Sequence, residues 1–151
     1  MRVLFLCTGN SARSQIAEAL LRHLAQGRVE AFSAGTAPTG EVHPMARAAL
    51  LEQYGIRDDS LRSKSVDEFA GARFDAVITV CDAAAAACPS WPGARASIHW
   101  SLPDPAAIRD ADARRRAFAE VATALHARIS EWLVAASGRP RPAADDARGR
   151  A

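Results

Sequence analysis

Cysteine is scarce, three residues in 151, and an odd number argues against the paired framework of a secreted disulfide scaffold. Reactive thiols in a reducing compartment fit better. No apolar stretch approaches the roughly 20 residues that span a bilayer, and the N-terminal apolar run is too short for a signal-peptide core. A soluble, cytoplasmic chain without a membrane partner is expected. Aromatic residues make up only 6% of the chain, and no basic block is interleaved with them, so nucleic acid is a poor candidate partner. The formal charge is only +2. Arg114-Arg115-Arg116 lies on an expected helix and reads as a solvated face. His23, His43, His99 and His126 have no metal-ligand spacing, and no internal repeat is visible.

Half of the composition, 49%, is hydrophobic, enough for one domain with a single core. Val3 to Leu6 is a short apolar run of strand type. Ile16, Ala17, Leu20, Leu21 and Leu24 repeat at three and four, which predicts a helix ended by Gly27. A second strand is expected over Val29–Ala34. His43-Pro44 can open a helix that stops at Gly55, and Val66–Phe69 can form a short one. Phe74–Val80 reads as a buried parallel strand and Ala96–Trp100 as a fourth. Phe118, Val121, Ala122, Leu125, Ile129, Trp132, Leu133 and Ala136 mark the final helix. Beyond it, 138–151 has little to bury and reads as a disordered tail to a 1–137 domain. Strands alternating with helices predict an α/β fold, a four-stranded parallel sheet with helices on both faces. Ligands of such sheets bind beyond the carboxyl ends of the strands.

One such end carries the most informative segment, CTGNSARS at residues 7–14. Cysteine comes first, arginine follows six positions later, and turn-forming or small residues fill the space before a helix. The thiolate is the reactive form of cysteine, and a helix N-terminus, a cationic neighbour and inward-pointing amides all favour it. The amides of Thr8, Gly9, Asn10, Ser11, Ala12 and Arg13, with the Arg13 guanidinium, can cradle a tetrahedral oxyanion. Ser14 can donate a hydrogen bond to the Cys7 thiolate, although serines at helix starts also serve as ordinary caps. The bland reading is a buried strand-end cysteine, which leaves the Gly-Asn-Ser loop without a reason.

Cys81 and Cys88 bracket five alanines. Their separation suits neither a zinc ribbon nor a CxxC redox motif. Alone they read as small core residues. Beside a nucleophilic Cys7, three thiols can form a relay in which one attacks, one resolves and one completes the disulfide. About seven residues of helix cover roughly 10 Å, whereas disulfide geometry needs Cα atoms within about 7 Å. Oxidation would therefore distort this segment. Asp104, held between Pro103 and Pro105, can donate a proton to a leaving oxygen or can simply mark a turn.

Together, VLFLCTGNSARSQIAEALL, FSAGTAP, EVHPMA, LRSKSVDEFAGARFDAVITVCD, CPSWPG and HWSLPDPA resemble the thioredoxin-coupled arsenate reductases of the low-molecular-weight phosphotyrosine phosphatase superfamily. The likeness runs from about Arg2 to Trp132. It implies that Cys7 attacks arsenate, that Cys81 attacks the resulting adduct and releases arsenite, and that Cys88 takes over the disulfide for thioredoxin to reduce. It further implies oxyanion binding by Arg13 and the loop, thiolate stabilisation by Ser14, an acid role for Asp104, and phosphate or sulfate as competitors of arsenate. Some relatives bind a potassium ion, for which Asn10, Glu18, Ser33 and Asp67 are the matching residues; no other cofactor is implied. Phosphatases of this fold carry an aromatic residue after the Asp-Pro, where this chain has Ala106.

The competing expectation is a protein-tyrosine phosphatase that hydrolyses phosphate monoesters, with Cys81 and Cys88 incidental. A binding protein without turnover is a third, opposed by the intact Cys7, Arg13 and Asp104. A small-molecule thiol such as mycothiol would leave Cys88 without a task, so thioredoxin is the expected reductant.

Overall fold

Side chains alternate along the first strand and thereby divide the core in two. Val3, Phe5 and Cys7 join one buried cluster, Leu4 and Leu6 the other, and none of the five is more than 3% exposed. The strand is β1 (Arg2–Cys7) in the computed structural model, which describes residues 1–87 and 90–138. After it come α1 (Arg13–Ala25), β2 (Glu30–Gly35), α2 (Pro44–Tyr54) and a 3-10 turn at Val66–Phe69. The chain continues through β3 (Phe74–Thr79), α3 (Asp82–Ala87), β4 (Ala94–His99), a second 3-10 turn at Pro105–Ala107, and α4 (Ala111–Ser137).

All strands are parallel, in the order β2-β1-β3-β4. The α/β architecture is therefore the expected one. One core cluster packs the sheet against α1 and α4 through Ile16, Leu20, Leu21, Phe118, Val121, Leu125 and Ile129. The other side is closed by rings: Phe32, Phe69 and Trp91 all meet Phe74 edge-on, at centroid distances of 5.7 to 5.9 Å between neighbouring rings. The Arg2 guanidinium lies 5.1 Å from Phe32 and 5.2 Å from Phe74.

Helix boundaries follow local chemistry. His43 caps α2, its Nδ1 accepting the Met45 N–H at 3.1 Å, and Pro44 takes the first helical position. Gly55, at φ 65°, ends that helix in the left-handed conformation and donates to the Leu51 carbonyl. Asp110 caps α4 by accepting the Ala113 N–H at 2.8 Å.

Each strand differs from the sequence reading by one or two residues at its ends, and two of the differences have a visible cause. β2 is shifted by one residue, to Glu30–Gly35, because it pairs with β1 from Arg2↔Glu30 to Cys7↔Gly35. β4 begins earlier, at Ala94, where it pairs with Phe74. It is an edge strand whose residues alternate between intermediate and exposed, so it has no apolar run to announce its start. The expected tail from 139 onward lies outside the described residues. So does Cys88.

Candidate active site

The sheet order puts the two cysteine-bearing strand ends side by side. Leu6 is in register with Thr79, and the Val80 N–H donates to the Leu6 carbonyl at 2.8 Å, so Cys7 and Cys81 leave adjacent strands at the same edge. Both thiols are free and 3% exposed. The Cys81 Sγ lies 3.5 Å from the hydroxyl of Thr8, the residue after Cys7, and accepts the Ala84 N–H at 3.3 Å.

The loop after Cys7 is shaped by where its carbonyls go. The carbonyls of Cys7, Thr8, Gly9 and Ser11 accept from the N–H groups of Thr36, Ala37, Thr39 and His43, at 2.9 to 3.2 Å. The Asn10 carbonyl accepts from the Gln15 amide at 3.0 Å. In a planar trans peptide the C=O and the following N–H point in opposite directions. Carbonyls turned to the surrounding segment therefore leave the following N–H groups, from Thr8 to Ala12, aimed at the interior of the loop. One of them is occupied already: the Asn10 N–H donates to Cys7 Sγ at 3.1 Å. Ala12 offers no side-chain cap to α1, so the first amides of that helix also remain available to an anion.

Asn10 is the keystone of the loop, fully buried and at φ 46°. Its Oδ1 accepts from the Lys64 main chain at 2.8 Å and from Gln15 Nε2 at 2.9 Å. Its Nδ2 donates to Ser14 Oγ at 2.8 Å, and Ser14 Oγ lies 2.8 Å from Cys7 Sγ. Gly35 makes room beside it, since a Cβ there would stand 2.5 Å from the Thr8 carbonyl oxygen and 3.0 Å from the Asn10 nitrogen.

Arg13 opens α1 and donates from Nη1 to the Leu102 carbonyl at 2.8 Å. That bond ties the cradle to the loop carrying Asp104, whose exposed carboxylate caps the 3-10 turn by accepting the Ala106 N–H at 3.0 Å. His43 is also near: burial, with a smaller contribution from Arg114, lowers its pKa, while Asp104 opposes the shift.

Several residues at the site carried no role in the sequence reading. Gln15 donates from Nε2 to three acceptors, the third being the Arg62 carbonyl at 2.7 Å. His99 joins Thr79 Oγ1 at 2.7 Å and Asp82 Oδ1 at 2.8 Å, linking β3 and β4 to the start of α3. Hydrogen bonds with His99 and Ser101, and the Arg13 charge, hold the Asp82 carboxyl below its usual range. Lys64 Nζ lies 3.6 Å from Glu18 Oε1 and 3.3 Å from Ser33 Oγ. Burial, the largest influence on both, raises the Glu18 pKa and lowers that of Lys64. Asp67, expected beside them, is exposed on the 3-10 turn. Among the described residues no group of three or more His, Cys, Asp or Glu could hold a metal ion, and no helix is long and apolar enough to cross a membrane.

The chain is similar in sequence and fold to known proteins. An arsenate reductase of Halalkalibacterium halodurans is 36% identical over 110 residues, 73% of this chain and 78% of its own. A thioredoxin-dependent arsenate reductase of Corynebacterium glutamicum has 32% identity and a TM-score of 0.69 over 90% of this chain. The present chain spans 61% of that protein's length. An arsenate reductase solved in a phosphate-binding state has 27% identity and a TM-score of 0.69, covering 89% of this chain and 97% of its own. The family model described as low molecular weight phosphotyrosine protein phosphatase matches residues 2–140. This chain belongs to the low molecular weight phosphotyrosine protein phosphatase family.

Proposed function

We propose that this chain reduces arsenate to arsenite through Cys7, Cys81 and Cys88, with thioredoxin as the reductant. The observation that carries the reading is the buried Cys81 thiol, 3.5 Å from the hydroxyl of Thr8 on the Cys7 loop. A hydrolase needs one nucleophile at that loop; a reductase needs a second thiol within reach of it.

The Cys7 thiolate attacks arsenic(V), a Cys7 S–As bond forms, and an arsenate oxygen leaves as water. Asp104 supplies its proton. The inward amides and Arg13 bind the remaining oxygens, with Arg13 exchanging its bond to the Leu102 carbonyl for the anion. The Cys81 thiolate then attacks Cys7 Sγ. A Cys7–Cys81 disulfide forms, the S–As bond breaks, and its electron pair stays on arsenic, which departs as arsenic(III). Cys88 displaces Cys7 from Cys81, leaving a Cys81–Cys88 disulfide and a regenerated Cys7 thiolate. Two electrons from the thioredoxin dithiol complete the cycle. Phosphate and sulfate, being tetrahedral oxyanions, compete for the same loop.

Hydrolysis of phosphate monoesters by Cys7 is the alternative. Ala106, where phosphatases of this fold carry an aromatic residue, disfavours it. The test measures arsenite formation with thioredoxin, thioredoxin reductase and NADPH, beside hydrolysis of an aryl phosphate by the same preparation. Multiple turnovers of arsenite are expected, with slow hydrolysis at most; fast hydrolysis without arsenite would overturn the reading.

A further inference from the structure

Glu18 and Ser33, two of the residues that match the potassium site of relatives, already have a cation between them. Lys64 Nζ stands 3.6 Å from the Glu18 carboxylate and 3.3 Å from the Ser33 hydroxyl, and it donates to the Arg62 carbonyl at 2.8 Å. The Lys64 and Glu18 side chains are only 7% and 5% exposed. A potassium ion needs a shell of oxygens without another positive charge among them. The ammonium fills that shell and would repel a second cation across a short, poorly screened distance. The residues present do not fit the ion.

The composition bears on the same point. Lys64 is the only lysine in a chain with 18 arginines. An ammonium is a compact point charge on a long stem, whereas a guanidinium is a broad planar fork. The buried position between Glu18 and Ser33 thus holds the cationic side chain with the more compact head. Burial works against the charge of both Lys64 and Glu18, and each is the strongest charge favouring the ionised form of the other.

Lys64 also connects this pair to the loop. Its N–H donates to Asn10 Oδ1 at 2.8 Å, and its carbonyl accepts the Gly35 N–H at 2.8 Å. Asn10 in turn fixes Ser14, which lies against Cys7. We propose that the Lys64 ammonium is a tethered cation, seated between Glu18 and Ser33 in place of potassium, that positions the oxyanion loop and frees the protein from dependence on potassium. Lys64 is thus a positioning residue. This inference requires only that an oxyanion binds at the Cys7 loop, so it is tested separately from arsenate reduction.

The test uses the full chain, with Lys64→Ala and Lys64→Met variants, in potassium or choline chloride at equal ionic strength. Affinity for inorganic phosphate and the thermal midpoint are measured in each salt. The wild type should give superimposable results in both. Lys64→Ala should bind phosphate about tenfold or more weakly in choline chloride, having lost a charged hydrogen-bonding group, and potassium should restore binding in a saturable way. Lys64→Met fills the space without charge and should show the same loss with no restoration. An alanine variant unfolded in choline chloride but folded in potassium chloride would support the same conclusion. A saturable potassium effect on the wild type, undiminished affinity in Lys64→Ala, or a loss or unfolding of Lys64→Ala that potassium fails to reverse would each overturn the proposal.

Discussion

Ser14 Oγ lies 2.8 Å from Cys7 Sγ and has its own acceptor side taken by Asn10 Nδ2, also at 2.8 Å. The Asn10 amide is oriented unambiguously, because its Oδ1 accepts from Lys64 and Gln15. With Asn10 Nδ2 donating to Ser14 Oγ, the Ser14 hydroxyl proton is free to be given to sulfur. Ser14→Ala should lower kcat/KM about 10- to 100-fold, the loss of a hydrogen bond to a charged group. It should also leave Asn10 Nδ2 unpaired, at about 1–2 kcal/mol of stability. Steady-state kinetics and urea denaturation check both; an unchanged kcat/KM would contradict the assignment.

Gly35→Ala should disable the loop from outside it. The added Cβ would meet the Thr8 carbonyl oxygen at 2.5 Å, and that carbonyl is held by the Ala37 N–H at 2.9 Å. Displacement of the carbonyl turns the Gly9 amide away from the anion. A stability loss of about 1–3 kcal/mol is expected from such overpacking, together with loss of phosphate binding by calorimetry. Retention of wild-type phosphate affinity would show that the close approach is dispensable.

The loop itself was legible because its chemistry is contiguous: cysteine, turn residues, arginine and helix start all fall within residues 7–14. Its supports were not. Gly35 and Lys64 reach Asn10 only after β2 and the segment before the 3-10 turn have folded against β1 and α1. Gln15 is hidden by its place in a helical repeat, where it reads as one polar residue among apolar ones. His99 has no ligand spacing in the sequence, yet both its ring nitrogens are engaged across the end of the sheet. Lys64 did leave a signal, as a lone lysine in an arginine-rich chain. The start of β4 was missed because an edge strand can be half exposed throughout.

Acid should weaken the tie between α1 and the turn before Leu61. Burial would raise the Asp58 pKa, but hydrogen bonds from Ser60 and Arg22 and the Arg22 charge outweigh it and lower it below 3.8. A depressed carboxyl stabilises the fold above its unfolded value, and the contribution disappears as pH falls through the folded value. Asp58→Asn should cost under about 1 kcal/mol for this partly exposed pair, and the deficit should vanish below that window. Urea midpoints of both proteins from pH 7 down to about pH 2 test it; a deficit independent of pH over that range would contradict it.

Oxidation should unwind α3. Only Ala84 of its six residues is buried, so little packing holds it. A helix from Cys81 to Cys88 would be about 10 Å long, too far for a disulfide. Amide exchange over residues 82–87 should be faster in the oxidised protein than in the reduced one. Equal protection in both states would count against the unwinding.

The proposed reduction runs through a relay of three thiols, whereas binding and hydrolysis need the Cys7 loop alone, and trapping the relay separates the two. Wild-type, Cys7→Ser, Cys81→Ser and Cys88→Ser proteins would each be mixed with arsenate in the absence of thioredoxin, followed by arsenite analysis and disulfide mapping by mass spectrometry. The wild type should release one arsenite per chain and carry a Cys81–Cys88 disulfide. Cys88→Ser should release arsenite once and stop as a Cys7–Cys81 disulfide; Cys81→Ser should release none yet retain slow aryl phosphate hydrolysis, and Cys7→Ser should lose both activities. Arsenite release by Cys81→Ser, or a Cys88→Ser protein that releases arsenite without forming the Cys7–Cys81 disulfide, would contradict this relay.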